Sequence, residues 1–405
     1  MNPLLLSGFA NSIYVEKSKL IIYNKLKKEK LEFYPHQIPH DSIIIDGHTG
    51  NITFDALRWL MKHDINVTIL NWNGNMLGVI LPKEPKNGKL KIMQYQAYLN
   101  SSKRLTIASQ LVSHKIAHTY NLLNELARYY DGITIAEVQK VFVRERSNFE
   151  DSSQSINNLL NYEGRIAAYY WSILAIIFKE LQADFHFVKR GNRSYSWNTN
   201  ASDEVNALLN YGYGILESEI RKDNNSIGLD STIGFLHELA QAKTPLVYDI
   251  QELFRWLVDL SVLQILEEKK LKKSDFIVTE NYNLRLKPQT AKMLIEKISL
   301  NFNRTSSYKA KNHTYENILF DNVQQLANFI VGKRRDLHFN IPEFRIPRVD
   351  SLELQKGIAA MSHSERKRLD INKSTLWYQK RQLKAGKKLK LYTKSISKLT
   401  DISTS

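Results

Sequence analysis

Apolar and polar positions change their period once along this chain, near residue 82. Before that point the pattern is short and β-like. Runs at 12–15, 20–23, 42–45 and 66–70 are rich in Ile, Val, Leu and Tyr and are bounded by Gly, Asn, Asp or Lys, so each predicts a strand. One helix interrupts them. Thr53 is placed to cap FDALRWLMKHD, and Phe54, Leu57, Leu60 and Met61 are the expected buried stripe. Asn71-Trp72-Asn73-Gly74 signals a turn, after which 77–81 returns as a strand. PKEPKNG, residues 82–88, has two prolines and mixed charge and reads as a linker.

Beyond the linker the spacing becomes helical and stays so to about residue 331. Amphipathic runs cover 92–130, 134–145, 155–182, 202–221, 246–270 and 289–300, with 301–307 and 342–347 as connections. Within them 246–266 predicts one continuous helix. Leu246, Ile250, Leu253, Leu257 and Leu260 follow one another at intervals of three and four, and Pro245 suits the first turn.

The last 55 residues read as helix, turn, helix. SERKRL forms the first, 370–373 the turn, and STLWYQKRQLKAG the second, with Ser374 as its cap and Gly386 as its terminator. Ile371, Leu376, Trp377 and Leu383 are expected to pack inward. The predicted class is therefore α+β. It comprises a small β-rich, sandwich-like unit at 1–81, an all-α unit at 89–340 and a basic helix-turn-helix at 351–405.

Composition narrows the function. Hydrophobic content of 43% and aromatic content of 10% describe a globular protein. The absence of cysteine excludes disulfides, thiol catalysis and thiolate zinc sites, and is compatible with a reducing compartment. The start, MNPLLLSGFANS, has no basic n-region, and no apolar run approaches the roughly 20 residues that span a bilayer. A cytoplasmic protein without a membrane partner is the expectation. Net charge is +16, and residues 351–405 hold 13 Lys and Arg against 4 Asp and Glu. Such an imbalance points to a polyanion, with double-stranded DNA the best-fitting partner.

Two places suit DNA. In the second tail helix, inward packing of the apolar positions leaves Lys373, Ser374, Thr375, Lys380, Arg381 and Lys384 for a duplex groove. In VKRGNRSYSWN, residues 188–198, Lys189, Arg190 and Arg193 alternate with Tyr and Trp, which suits phosphate and base-stacking contacts. Solvated basic segments have the same composition. His114 and His118 stand four apart in HKIAH, like half a zinc site. With no glutamate between them and no third ligand nearby, packed or exposed histidines fit better.

GFLHELAQAKTPLVYDIQELFRWLVD, residues 234–259, carries three groups that can hold a hard cation: His237, Asp249 and Glu252. Asp249 and Glu252 are three apart on one helix, which puts both carboxylates on one face. A solvated helix face produces the same spacing. However, Val247, Leu253 and Trp256 make this helix look buried, and a buried acidic pair needs a cation, a proton or hydrogen bonds.

Three blocks carry a resemblance. HDSIIIDGHTGNITFDALRWLMKHDINVTILNWNG (40–74) looks like the first domain of the CRISPR-associated spacer integrase family. NYEGRIAAYYW (161–171) resembles its first catalytic helix, and GFLH with PLVYDIQELFRWLVD (234–237 and 245–259) resembles its second catalytic block. The resemblance implies that Glu163, His237 and Glu252 are metal ligands, with Asp249 as an accompanying catalytic acid. Two carboxylates and one imidazole would suit Mg²⁺ or Mn²⁺. It also implies a homodimer built through residues 1–81, with room for higher-order assembly on DNA. The implied reaction is a transesterification in which a DNA 3′-hydroxyl attacks a second duplex. The basic tail is similar to that of the transposon-encoded casposase branch, which inserts the ends of a mobile element into target DNA. The alternative is a spacer integrase acting in CRISPR adaptation.

Overall fold

A computed structural model describes residues 1–47, 49–71, 76–83, 85, 87–128, 130, 133–149, 153–185, 187–190, 201, 203–238, 244–268, 271–278, 284–342, 357–368 and 371–385. The chain is α+β, as its periods predict, with two four-stranded sheets followed by a large helical body.

Strands β1 (Pro3–Gly8), β5 (Ser42–Gly47), β7 (Asn66–Leu70) and β8 (Met76–Ile80) form the first sheet in the order β1-β5-β7-β8, parallel except for β8. Strands β2 (Asn11–Glu16), β3 (Lys19–Asn24), β4 (Glu29–Phe33) and β6 (Gly50–Ile52) form the second in the order β4-β3-β2-β6. Leu6, Ile43 and Val67 of the first sheet meet Ile13, Leu20 and Ile22 of the second in one core. Helix α1 (Phe54–Lys62) closes that core, capped by Thr53, whose side chain accepts from the Ala56 amide.

The buried face of α1 is not the expected one. Ala56, Trp59 and Leu60 face inward, Leu57 and Met61 are half-buried, and Phe54 is 78% exposed. The Trp59 indole N–H donates to the Ser18 carbonyl, which fixes the helix's rotation and turns Phe54 outward. Three strands carry no clear alternation. β1 is a continuous apolar run, β4 a charged and largely exposed edge, and β6 only three residues long. Of the predicted turn at 71–74, Trp72, Asn73 and Gly74 lie outside the described residues.

The first sheet is buried on both faces. Ile44 and Leu70 point away from the second sheet into the helical core. The helices are α2 (Gly88–Leu99), α3 (Ser101–Leu126), α4 (Ile135–Ser147), α5 (Ile156–Leu181), α6 (Glu204–Ile227), α7 (Pro245–Gln251), α8 (Arg255–Glu267), α9 (Pro288–Phe302) and α10 (Tyr315–Ile330). Asn100 divides the run expected over 92–130. Its own N–H ends α2 on the Gln96 carbonyl, and its side chain caps α3 at Lys103. Every residue of α8 from Trp256 to Leu266 is buried, and most of α6 is too, so these two helices run through the centre. Among the described residues, no helix is long and apolar enough to cross a membrane.

Small antiparallel pairs, β9 (Phe276–Val278) with β10 (Leu284–Leu286) and β11 (Thr305–Tyr308) with β12 (Lys311–Thr314), interrupt a stretch expected to be helical apart from the connection at 301–307. At three or four residues per strand they leave too little periodicity to detect. Beyond α10, helices α11 (His363–Arg368) and α12 (Lys373–Lys384) occupy the tail. Asn372, not Ser374, caps α12, because its side-chain oxygen accepts the Ser374 amide at 3.1 Å. Ile371 and Leu376 are buried and Leu383 is half-buried, but Trp377 is 61% exposed, with the Arg381 guanidinium over its ring. One step of about 100° around a helix separates Trp377 from Leu376, so they cannot share the inward face. Gly386 lies outside the described residues.

Candidate active site

The predicted continuous helix over 246–266 is two helices, and the break between them shapes the site. Glu252 ends α7, Phe254 starts α8, and the chain tightens through Leu253 N–H to Ile250 O (3.1 Å) and Phe254 N–H to Gln251 O (3.0 Å). These shorter-range bonds bend the chain while leaving Leu253 and Leu257 in the core. Asp249 and Glu252 therefore do not act as a carboxylate pair. Each is buried and each has its own compensation.

Asp249 organises the loop before α7. Its Oδ2 accepts the amides of Phe235 (2.5 Å) and Leu236 (3.0 Å), and its Oδ1 accepts the amide of His237 (3.0 Å). Oδ1 also meets His237 Nδ1 at 2.7 Å. A carboxylate only accepts, so Nδ1 carries the proton and Nε2 is left outward with its lone pair when the ring is neutral. Gly234 makes the close approach possible. A Cβ there would fall 2.6 Å from Pro245 Cβ and 2.9 Å from Asp249 Oδ2. Burial pushes the His237 imidazole down, but the hydrogen bond and charge of Asp249, with the charge of Glu252, raise it above its ordinary value. His237 remains 36% exposed.

Glu252 has different partners. It is 4% exposed, and its Oε1 lies 3.3 Å from Arg255 Nη1. Its Oε2 lies 2.5 Å from Lys115 Nζ, an ion pair without hydrogen-bond alignment. Lys115 comes from the middle of α3 and donates a short hydrogen bond to Glu163 Oε1, from the second turn of α5. Burial opposes the charge of Glu252. Arg255, Lys115 and then His237 more than offset it and hold the carboxyl down at about 2. Glu163 and Glu252, 89 positions apart in sequence, thus converge on one positive charge.

Behind this cluster Asp259 accepts from Tyr170 (2.6 Å) and Tyr213 (2.5 Å). Burial raises Asp259, and the two hydroxyls counter it only in part. Arg255 also donates to Gln251 Oε1 at 3.1 Å and lies 4.9 Å above the Tyr213 ring. Lys115, Glu163, Glu252, Arg255 and Asp259 all line a narrow cavity of about 40 Å³. A Cβ on Gly164 would meet nothing within 4 Å, so α5 is open beside Glu163.

The structure thus brings Glu163 and Glu252 together through Lys115 and holds His237 by Asp249. As the side chains lie, no three His, Asp or Glu residues among the described ones gather closely enough to hold a metal ion. His118 is buried and stacked on Trp256. Burial, with a smaller effect of His114, pushes its imidazole down to about 3. Of the basic residues expected to meet DNA, Lys189 is exposed, whereas Arg190 is held by Asn206 (2.6 Å) and Asn210 (3.0 Å) and packs over Trp171 and Tyr213. Arg193 lies outside the described residues. On α12, Lys373, Ser374, Arg381 and Lys384 are exposed and Thr375 is half-buried, while Lys380 Nζ donates to the Met361 carbonyl at 2.9 Å. Sequence reasoning missed Lys115 and Arg255. Lys115 sits inside HKIAH on the stripe of Leu111, Val112, His118 and Leu122, and a lysine on a buried stripe was the available signal.

A family model, CRISPR associated protein Cas1, matches residues 4–299. The chain belongs to the Cas1 family. It is 25% identical over 347 residues to a CRISPR-associated endonuclease Cas1 of Archaeoglobus fulgidus, covering 82% of this chain and 97% of that one. A second relative of the same name, from Thermodesulfovibrio yellowstonii, is 30% identical over 271 residues, covering 66% and 80%. Among solved structures, a casposase bound to integration product matches with a TM-score of 0.79 and 36% identity, over 89% of this chain and 99% of that one. That overlap takes in more of the chain than the Cas1 model spans.

Proposed function

We propose that this Cas1-family protein is a casposase-like DNA integrase that joins the 3′-hydroxyl ends of a mobile element to target DNA with the help of Mg²⁺ or Mn²⁺. The observation that carries the reading is the convergence of two buried or half-buried carboxylates, Glu163 and Glu252, on a single positive charge. The donor set fits a hard divalent cation. It offers two carboxylates, one with an oxygen that lacks an aligned donor, and an imidazole near enough to Glu252 to feel its charge. Glu163, Glu252 and His237 Nε2 would hold it. Such a cation, when bound, neutralises the scissile phosphate and polarises the attacking oxygen.

The chain's own residues prepare that site. Asp249 fixes the tautomer and direction of His237, as an outer carboxylate does for many ligating histidines. Arg255 keeps Glu252 ionised, and its stacking on Tyr213 keeps it in place. In the reaction, an element's 3′-oxygen forms a new bond to phosphorus and the target strand's 3′-oxygen leaves. The attacking hydroxyl's proton passes to the leaving oxygen through solvent, and the number of phosphodiesters is unchanged. Two such sites on a homodimer would join two ends to opposite strands. The excess of nine positive charges in residues 351–405 supports a duplex-binding tail.

The names of the curated relatives favour a second reading, a spacer integrase of CRISPR adaptation. Higher identity to the casposase, over more of the chain than the family model spans, favours the first. A strand-transfer assay tests both with labelled duplexes ending in terminal inverted repeats or in spacer-like ends, with and without EDTA. Metal-dependent joining of the repeat ends supports the proposal. Joining of spacer-like ends alone supports the second reading, and joining that persists in EDTA rejects the metal.

A further inference from the structure

We infer that Lys115 is the site's resident counter-charge, which a divalent cation must displace, so that this ammonium sets how tightly Glu163 and Glu252 take metal. The inference rests on the metal reading above and adds a residue that works against the metal.

Charge is the first argument. Glu163 and Glu252 are balanced by Lys115 and Arg255, so the four-residue cluster is neutral as it stands. A dication added beside both cations would crowd three positive centres around two carboxylates in a largely buried place, which is unfavourable even with Asp259 on the same cavity. One cation must go. Arg255 is tied down, by Gln251 at 3.1 Å and by the Tyr213 ring at 4.9 Å. Lys115 Nζ is held, among the described residues, by the two carboxylates alone.

Space and reach agree. Lys115 Nζ sits against both Glu163 Oε1 and Glu252 Oε2, the oxygens a bridging dication would itself use, so the two compete for the same ligands. Lys115 is 18% exposed, so its flexible four-carbon stem has an outlet to solvent. Both of its contacts are to carboxylates that a dication would itself ligate, so the arriving cation replaces what the ammonium gives up.

The test is Mn²⁺ binding to the full chain without DNA, read from the loss of the free Mn²⁺ electron paramagnetic resonance signal. Lys115→Met should bind at least about tenfold more tightly than wild type. Its metal-free melting temperature should fall, and Mn²⁺ should raise that temperature more than in wild type. Glu163→Gln should weaken binding. A second measurement needs no variant. Amine acylation of wild type, read by peptide mass spectrometry, should label Lys115 severalfold faster in saturating Mn²⁺, with Lys103 as the unchanged control. Equal or weaker Mn²⁺ affinity in folded Lys115→Met overturns the inference, as does unchanged Lys115 labelling in metal-saturated wild type. If Lys115→Met does not fold, the labelling decides. Absence of Mn²⁺ binding in both wild type and Lys115→Met overturns the metal reading and the inference with it. Binding that Glu163→Gln weakens and Lys115→Met leaves alone overturns the inference only.

Discussion

The Asp249 carboxylate holds His237 twice, at the ring Nδ1 (2.7 Å) and at the backbone amide (3.0 Å). With the Phe235 and Leu236 amides, four donors converge on one buried anion, and no acceptor capacity is left to spend on a metal. Asp249 thus positions His237. Asp249→Asn puts an N–H₂ group against at least one amide N–H. It should lower stability by on the order of 3 kcal/mol and reduce strand transfer by about 10–100-fold. His237→Ala should abolish joining at a stability cost below about 1 kcal/mol, because the ring is partly exposed. Urea unfolding beside the joining assay checks the pair. Equal destabilisation by both variants would refute the positioning role.

Glu163 and Glu252 share Lys115 but differ in burial, so their variants should separate stability from activity. Glu252→Gln leaves Arg255 and Lys115 facing a neutral group in the interior and should cost roughly 3–5 kcal/mol. Glu163→Gln keeps a partner for Lys115 in Glu252 and should cost about 1 kcal/mol. Both should stop joining. Thermal melts of the metal-free proteins measure the difference, and a larger loss in Glu163→Gln would contradict it.

Much of this was legible in the chain, for reasons that particular residues make plain. Thr53 announced α1 because a hydroxyl before an amphipathic run satisfies an otherwise open amide. The rotation of α1 was not legible, since the bond from Trp59 to Ser18 spans 41 positions. The break at Glu252 was hidden because Leu253 and Leu257 keep their core positions through the bend, so the apolar period runs on unbroken. Glu163 carries no local mark of its own and was reached through resemblance alone. Lys115 was visible as a lysine on a buried stripe, but the two histidines of HKIAH drew the eye. Its partners come from α5 and from the end of α7, and no spacing rule links three separate helices.

Asp46 joins the first sheet to the helical body and should make stability depend on pH. It lies 3.4 Å from the Tyr211 hydroxyl and 3.7 Å from Arg285. Burial pushes its carboxyl up to about 6, against the weaker pull of Arg285 and Tyr211. The folded state thus holds a proton that the unfolded chain, near 3.9, has released. The stabilisation is complete below about pH 4 and is lost as pH rises through about 6. Asp46→Asn keeps an acceptor for Tyr211 without the buried charge. It should match wild type near pH 4 and exceed it at pH 7.5 by on the order of 2 kcal/mol. A constant difference between the two proteins across pH 4–7.5 would show that Asp46 does not titrate in this window.

The tail offers the last test, because its basic residues are not equivalent. Lys373, Arg381 and Lys384 are exposed on α12, whereas Lys380 spends its ammonium on the Met361 carbonyl. If α12 meets a duplex, each exposed cation that neutralises a phosphate releases a counterion and contributes about 0.9 to the slope of log affinity against log salt. Replacing Lys373, Arg381 and Lys384 together with alanine should therefore flatten that slope by about 2–3 and weaken duplex binding at low salt. Lys380→Ala should leave the slope within about 0.5 of wild type and instead loosen the packing of α12. Deleting 351–405 should have the largest effect on the slope. Fluorescence anisotropy with one duplex from 50 to 300 mM salt distinguishes these cases. A slope that follows Lys380 and ignores the other three would place the duplex on a different face of the helix.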